Sequence, residues 1–195
     1  MLDKIIERRE IAANSGEPIL RPKSFELLLE IIKDKKPSKI LEIGVNVGLS
    51  GIAMLLTSTS SSLTGIEIDE DKIAIAKKNY IEFGVSERAK IFQGDAGAII
   101  PLLTGKYDFI FLDGPKGHYY EYLPSLLSAL NKGGILFADN VLFRGYVGDK
   151  IKTPHRFATT KHSMENFLRA VTESDNLETQ IFDMEDGVSV TKRIK

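Results

Sequence analysis

Short apolar runs alternate along this chain with segments of helical periodicity. That alternation restricts the fold more than any other feature, because it is the pattern of a parallel sheet with helices on both faces. Phe25, Leu28, Leu29 and Ile32 share one face of a helix over 22–34, and Pro37 stops it. Lys39–Ile43 reads as the first strand, Gly44 as a turn, and 51–56 as a helix. A second strand over 63–68 leads to Asp69, which can cap a helix reaching Phe83. Residues 90–93 form a short third strand, and 107–112 a fourth that is apolar on both faces and therefore central. A helix over 118–130 ends at Lys132-Gly133-Gly134, and 135–138 is a fifth buried strand. A helix over 163–172 precedes two last strands, 178–184 and 188–193, joined by the turn Glu185-Asp186-Gly187. An antiparallel hairpin at the end of a parallel sheet departs from the plain dinucleotide-binding pattern. The expected class is α/β.

At 195 residues the chain has room for one such domain, with residues 1–36 as an N-terminal helical cover and 37–195 as the core. Cysteine is absent, which excludes disulfides, thiolate zinc sites and cysteine nucleophiles. A metal would need oxygen or imidazole ligands, favouring magnesium, manganese or calcium. No apolar run approaches the roughly 20 residues of a membrane span, and residues 1–9 lack the apolar centre of a signal peptide. A cytoplasmic location without membrane attachment is the expectation.

Glu42-Ile43-Gly44-Val45-Asn46-Val47-Gly48-Leu49-Ser50 runs from a strand into a helix. Such a turn brings backbone close to a ligand and aims helix N–H groups at negative charge, here the carboxylate of S-adenosylmethionine; a bare tight turn is the plainer reading. Ser50 adds a hydroxyl donor. Glu67, at the end of the second strand, is placed to accept ribose hydroxyls. Asp95 is either an adenine acceptor or the cap of a helix starting at Ala96. The Gly44 to Gly48 spacing is G-x-x-x-G rather than the dinucleotide G-x-G-x-x-G.

Asp113 ends the fourth strand, and Asp139-Asn140 end the fifth. Ligands of open α/β sheets bind beyond the carboxyl ends of the strands. Adjacent strands would gather two carboxylates and an amide there, an all-oxygen site suited to magnesium. Separate helix capping by each aspartate is the alternative. Lys116 is placed to take a proton from a nearby hydroxyl, or else is a solvated surface lysine. His118, His155 and His162 fit no compact zinc spacing.

From Glu17 to Arg193 the chain resembles the metal-dependent O-methyltransferases of the catechol and caffeoyl-CoA type. The resemblance rests on 40–50 (ILEIGVNVGLS), on LDGPKG around Asp113 and Lys116, and on DNVLFRG from Asp139 to Gly145. Within that family it looks most like the bacterial tRNA 5-hydroxyuridine methyltransferases, by Glu17-Pro18-Ile19-Leu20, by 113–120 and by 140–145. Gly114-Pro115 departs from the small pair expected after the metal aspartate. The resemblance implies a Rossmann-like class I fold with a seven-stranded, mostly parallel sheet. It implies S-adenosylmethionine and magnesium as cofactors, with Asp113, Asp139 and Asn140 as metal ligands. Lys116 is the implied catalytic base beside Asp113. Glu42, Gly44, Gly48, Ser50, Glu67, Asp95, Ala96 and Asp113 are implied around the cofactor, and a homodimer is the implied assembly.

The proposed partner is a tRNA or a small hydroxylated aromatic molecule. Residues 144–162 carry Arg144, Lys150, Lys152, Arg156 and Lys161 against Asp149, five positive charges less one negative giving +4 in a chain of net charge −1. A phosphate-bearing substrate would use such a patch, with Arg144, Lys150, Lys152 and Arg156 as its contacts; a solvated basic loop is the plain alternative. A nicotinamide-dependent oxidoreductase and a non-catalytic adenosine-binding or nucleic-acid-binding module are the competing classes. The glycine spacing and the final hairpin weigh against the first. The complete set Asp113, Lys116, Asp139 and Asn140 weighs against the second.

Overall fold

The computed structural model describes residues 1–148 and 151–195. The elements in chain order are α1 (Leu2–Asn14), α2 (Pro22–Lys35), β1 (Lys39–Ile43), α3 (Leu49–Thr57), β2 (Ser62–Glu67), α4 (Glu70–Glu82) and β3 (Ala89–Gln93). They continue with α5 (Ala96–Ile99), β4 (Tyr107–Leu112), α6 (Tyr119–Ala129), β5 (Leu130–Asp139), α7 (Ala158–Thr172), β6 (Leu177–Phe182) and β7 (Val188–Arg193). The strands form one seven-stranded sheet in the order β3-β2-β1-β4-β5-β7-β6. β1 to β5 pair in parallel, whereas β7 runs antiparallel to both β5 and β6. This is the mixed sheet with a terminal hairpin that the sequence pattern predicts.

Side chains alternate across the sheet because successive residues of a strand point to opposite faces. Phe109, Phe111 and Phe137 join the apolar layer on the α1–α4 side, with Leu28, Ile32, Ile52 and Leu55. Ile110, Leu112 and Leu136 join the other layer, under Leu123 and Leu126 of α6 and Phe167 and Val171 of α7. The strand order reverses between β1 and β4, which opens a crevice at their carboxyl ends.

Besides α7, which begins at Ala158 rather than 163, and β6, which ends at Phe182 rather than 184, three differences from the sequence reading bear on the site. α3 begins at Leu49 rather than Gly51, because Gly48 is its N-cap in the left-handed region. Lys132-Gly133-Gly134 does not separate α6 from β5. Leu130 already pairs with Tyr107, and the register shifts before Phe109 pairs with Ile135, so the glycines form an irregularity inside the strand. The third is α1, which the periodicity reading does not place. Its buried positions are Ile5 and Arg9. A charged residue on the inward face breaks the apolar stripe by which a helix is recognised.

Candidate active site

The site forms where the carboxyl ends of β2, β1, β4 and β5 meet the loops that follow them. The loop after β1 is shaped by two glycines. Gly44 has φ +88°, and a Cβ there would lie 2.6 Å from the Asp113 carbonyl oxygen. Gly48 has φ +82°, and its Cβ would lie 2.8 Å from the Tyr80 ring. No other residue adopts that conformation in so little space at low cost. Asn46 N–H donates to Glu67 Oε2 at 2.7 Å, fastening this loop to the end of β2.

Two cavities share Gly44. The first is narrow and is lined by Arg9, Pro18, Ile19, Leu20, Gly44 to Val47, Leu49, Ser50 and Asp113. The second is wider and is lined by Glu67, Ile68, Gly94, Asp95, Ala96, Pro115, His118 and Tyr122, together with Ile43 and Ile66. Of the residues expected around a cofactor, Gly44, Ser50, Glu67, Asp95, Ala96 and Asp113 lie on these walls. Glu42 does not. It is fully buried on the α3 side of β1, and neither of its carboxylate oxygens completes a hydrogen bond. Burial, then the charges of Asp113 and Glu67, push its carboxyl well above the usual range; the Gly51 N–H pulls weakly the other way. Gly48 shapes the loop from behind and is on neither wall.

Glu67 is more occupied than the sequence suggests. Its Oε1 accepts from the N–H groups of Ile68 (2.9 Å) and Asp69 (3.1 Å), in addition to the Asn46 bond on Oε2. A carboxylate offers roughly four acceptor positions, so about one remains for a ligand hydroxyl. Asp95 caps α5 through Oδ1, which accepts from Ala98 N–H at 3.2 Å. The cap reading holds for that oxygen.

The other half of the site gathers on β4 and β5. Tyr119, fully buried, donates its hydroxyl to the Leu112 carbonyl at 3.0 Å and lies 3.3 Å from the Asp139 carbonyl. It ties together the strand ends that carry Asp113 and Asp139. Lys116 Nζ stands 2.7 Å from Asp113 Oδ1, and both side chains are about one quarter exposed, at 24% and 23%. Asp139 is buried. Burial and the facing Asp113 charge raise its carboxyl to about 7, against the pull of Lys116 and of the Asn140 backbone N–H. Asn140 follows at φ +57°. Among the described residues no group of three or more histidine, cysteine, aspartate and glutamate side chains could hold a metal. The set present is two carboxylates with an adjacent amide.

Beyond Asn140 the backbone is strained. Phe143 (φ +42°) and Arg144 (φ +59°) both lie in the left-handed region, which bulky side chains avoid. The β6–β7 turn backs this segment: Asp186 Oδ1 accepts from Arg144 N–H at 2.7 Å, and the Gly187 carbonyl from Val141 N–H at 3.0 Å. Phe143, Tyr146 and Phe157 form a ring cluster with centroids 5.6 Å apart, and Arg144 and Arg156 lie over Phe157 at 5.5 and 4.7 Å. Arg144, Lys152 and Arg156 are exposed, and Lys161 pairs with Glu165 at 3.3 Å. Lys150 lies outside the described residues.

Sequence reasoning gives no site role to several wall residues. Ile68 and Tyr122 continue a strand and a helix pattern, and His118 is read as a surface or substrate-side residue rather than as cofactor wall. Arg9 lies in the helix that periodicity does not place.

Among curated relatives, the catechol O-methyltransferase of Sus scrofa is 34% identical over 63% of this chain and 70% of its own length. The caffeoyl-CoA O-methyltransferase of Stellaria longipes is 30% identical over 65% of this chain, which spans about half (55%) of that protein. The fold superposes on an S-adenosylhomocysteine-bound methyltransferase of Podospora anserina with a TM-score of 0.86, at 23% identity, covering 98% of this chain and 88% of that one. The sequence model of the O-methyltransferase family matches residues 14–194, and the chain belongs to that family.

Proposed function

We propose that this S-adenosylmethionine-dependent O-methyltransferase works at a divalent-metal site made by Asp113, Asp139 and Asn140, and that its methyl acceptor is the 5-hydroxyl of 5-hydroxyuridine in tRNA. One observation carries the metal reading: Asp113 and Asp139 follow and end the adjacent parallel strands β4 and β5, and burial, then the charge of Asp113, raises the Asp139 carboxyl. A divalent cation between them would reverse that repulsion, and an all-oxygen donor set suits magnesium, with manganese or calcium as substitutes.

When bound, S-adenosylmethionine supplies an electrophilic methyl group, and the metal supplies positive charge that makes a nearby hydroxyl more acidic. The chain's own residues do the rest. Gly44, Ser50, Glu67, Asp95 and Ala96 line the space for the cofactor. Lys116, whose Nζ lies 2.7 Å from Asp113 Oδ1, is the residue placed to accept the hydroxyl proton, a role that requires its neutral amine rather than the ammonium of that ion pair. Tyr119 fixes the spacing of the two strand ends on which this geometry depends.

The substrate reading rests on the exposed cations Arg144 and Arg156, which lie over Phe157 of the Phe143–Tyr146–Phe157 cluster, and on exposed Lys152, all in the segment that follows Asn140. Cations meet phosphates, and aromatic faces meet an unstacked base. A second reading, a small phenolic acceptor with two neighbouring oxygens, is favoured by the similarity to catechol and caffeoyl-CoA enzymes. An assay with labelled S-adenosylmethionine, offering undermodified tRNA and a catechol panel side by side, decides between them. Label in tRNA is the expected outcome; label in catechols alone overturns the tRNA reading and leaves the methyl transfer standing.

A further inference from the structure

Arg9 is 5% exposed and belongs to the N-terminal helix, far in sequence from every motif of the site. Its guanidinium lies 3.5 Å above the Phe25 ring, and Nη2 donates to the Leu20 carbonyl. Nη1 is buried and finds no acceptor. A buried donor left unpaired is costly, and for a charged group more so.

The same residue lines the cavity bounded by the Gly44-to-Ser50 loop and Asp113. That cavity's wall carries charge of both signs. The Arg9 guanidinium, Ser50 and the N-terminus of α3, which no side chain caps, share it with the Asp113 carboxylate, whose charge acts on Arg9. A wall with both cationic and anionic groups fits a zwitterion, the α-amino acid end of the methyl donor.

We infer that Arg9 is the counter-ion of the α-carboxylate of S-adenosylmethionine, so that the N-terminal helix contributes directly to cofactor recognition. This rests on the reading that this cavity holds the cofactor's amino acid end. The strap that closes the cavity is anchored accordingly. Glu17 pairs with Lys72 at 2.7 Å, the Pro18 carbonyl accepts from Asn46 Nδ2 at 2.9 Å, and the Leu20 carbonyl accepts from Arg9 itself. A ligand carboxylate on Nη1 would join the helix, the strap and the loop in one network.

Calorimetry with two ligands tests this. S-adenosylmethionine and its decarboxylated analogue both carry the sulfonium and the amine, and differ in the carboxylate. The parent protein should prefer S-adenosylmethionine at least tenfold, on the order expected of a charge-assisted hydrogen bond. Arg9→Met keeps an unbranched side chain but removes the guanidinium, and should weaken S-adenosylmethionine by roughly 10- to 100-fold, while the analogue changes by less than about threefold. Arg9→Lys should recover part of the preference. Equal losses for both ligands, or no loss for either, would overturn the assignment and leave Arg9 as a brace for Leu20. If Arg9→Met does not fold, the parent and Arg9→Lys decide: no preference in the parent, or an unchanged preference in the lysine variant, overturns it. Failure of the parent to bind either ligand would refute the cofactor reading itself.

Discussion

Lys116 Nζ lies 2.7 Å from Asp113 Oδ1, three residues back along the loop that leaves β4. The pairing places the proposed proton acceptor beside a metal-ligand candidate in one turn. Lys116→Met removes the acceptor and keeps the length of the side chain. Turnover should fall by about 10²–10⁴-fold, the usual worth of a positioned acid–base group, while cofactor affinity stays within a few-fold. Turnover equal to the parent's would return Lys116 to the role of a surface cation that neutralises Asp113.

Tyr119→Phe tests the clamp between the two strand ends. The lost hydroxyl leaves the carbonyls of Leu112 and Asp139 without that donor in a buried position. Unfolding in urea should show a loss of about 1–3 kcal/mol. The metal requirement should rise too, because Asp113 and Asp139 are no longer held at a fixed spacing. A variant with parental stability and metal requirement would show that packing alone sets the geometry.

Glu185 docks the N-terminal cover onto the β6–β7 turn. Its carboxylate accepts from Lys23 N–H (3.1 Å), Ser24 N–H (3.0 Å) and Ser24 Oγ (2.8 Å), at the start of α2. Partial burial pushes its carboxyl up, but the Ser24 and Lys23 donors and the Arg21 charge outweigh this and hold it below the ordinary range. A depressed carboxyl stabilises the fold at pH above its unfolded value, and that contribution is lost as pH falls through the folded value. Glu185→Ala should therefore cost about 1 kcal/mol near neutrality, the scale of a helix cap. The gap between parent and variant should close on the acid side. A gap independent of pH would rule out the carboxylate as its source.

Glu67→Ala removes three backbone hydrogen bonds as well as the proposed ligand contact, so its effect should be compound. Cofactor binding should weaken by ~1–3 kcal/mol. Glu67→Gln, which can keep the acceptor at Oε1, should lose less. Identical dissociation constants for parent and alanine variant would move the ribose contact elsewhere on the wall.

Most of the fold is legible in the sequence because its signals are local. Strand runs such as Tyr107–Leu112 and turns such as Gly44 need no long-range information. Asp113, Asp139 and Asn140 are legible for a topological reason, since residues at the ends of neighbouring parallel strands must meet. What escapes is whatever breaks a local rule. Arg9 sits where α1 should show an apolar side chain, and the same charge that hides the helix marks the residue. The bond from Asn46 to Glu67 escapes as well, because the two lie 21 residues apart.

Metal-dependent methyl transfer at the proposed site of Asp113, Asp139 and Asn140 is tested by following transfer of labelled methyl to the accepted substrate by chelator-stripped protein, with and without added magnesium, for the parent and for Asp139→Ala. The stripped parent should be inactive and recover with magnesium. Asp139→Ala should stay inactive at any magnesium concentration, yet bind S-adenosylmethionine with near-parental affinity. Full turnover by the stripped parent, or by Asp139→Ala, would contradict that proposal.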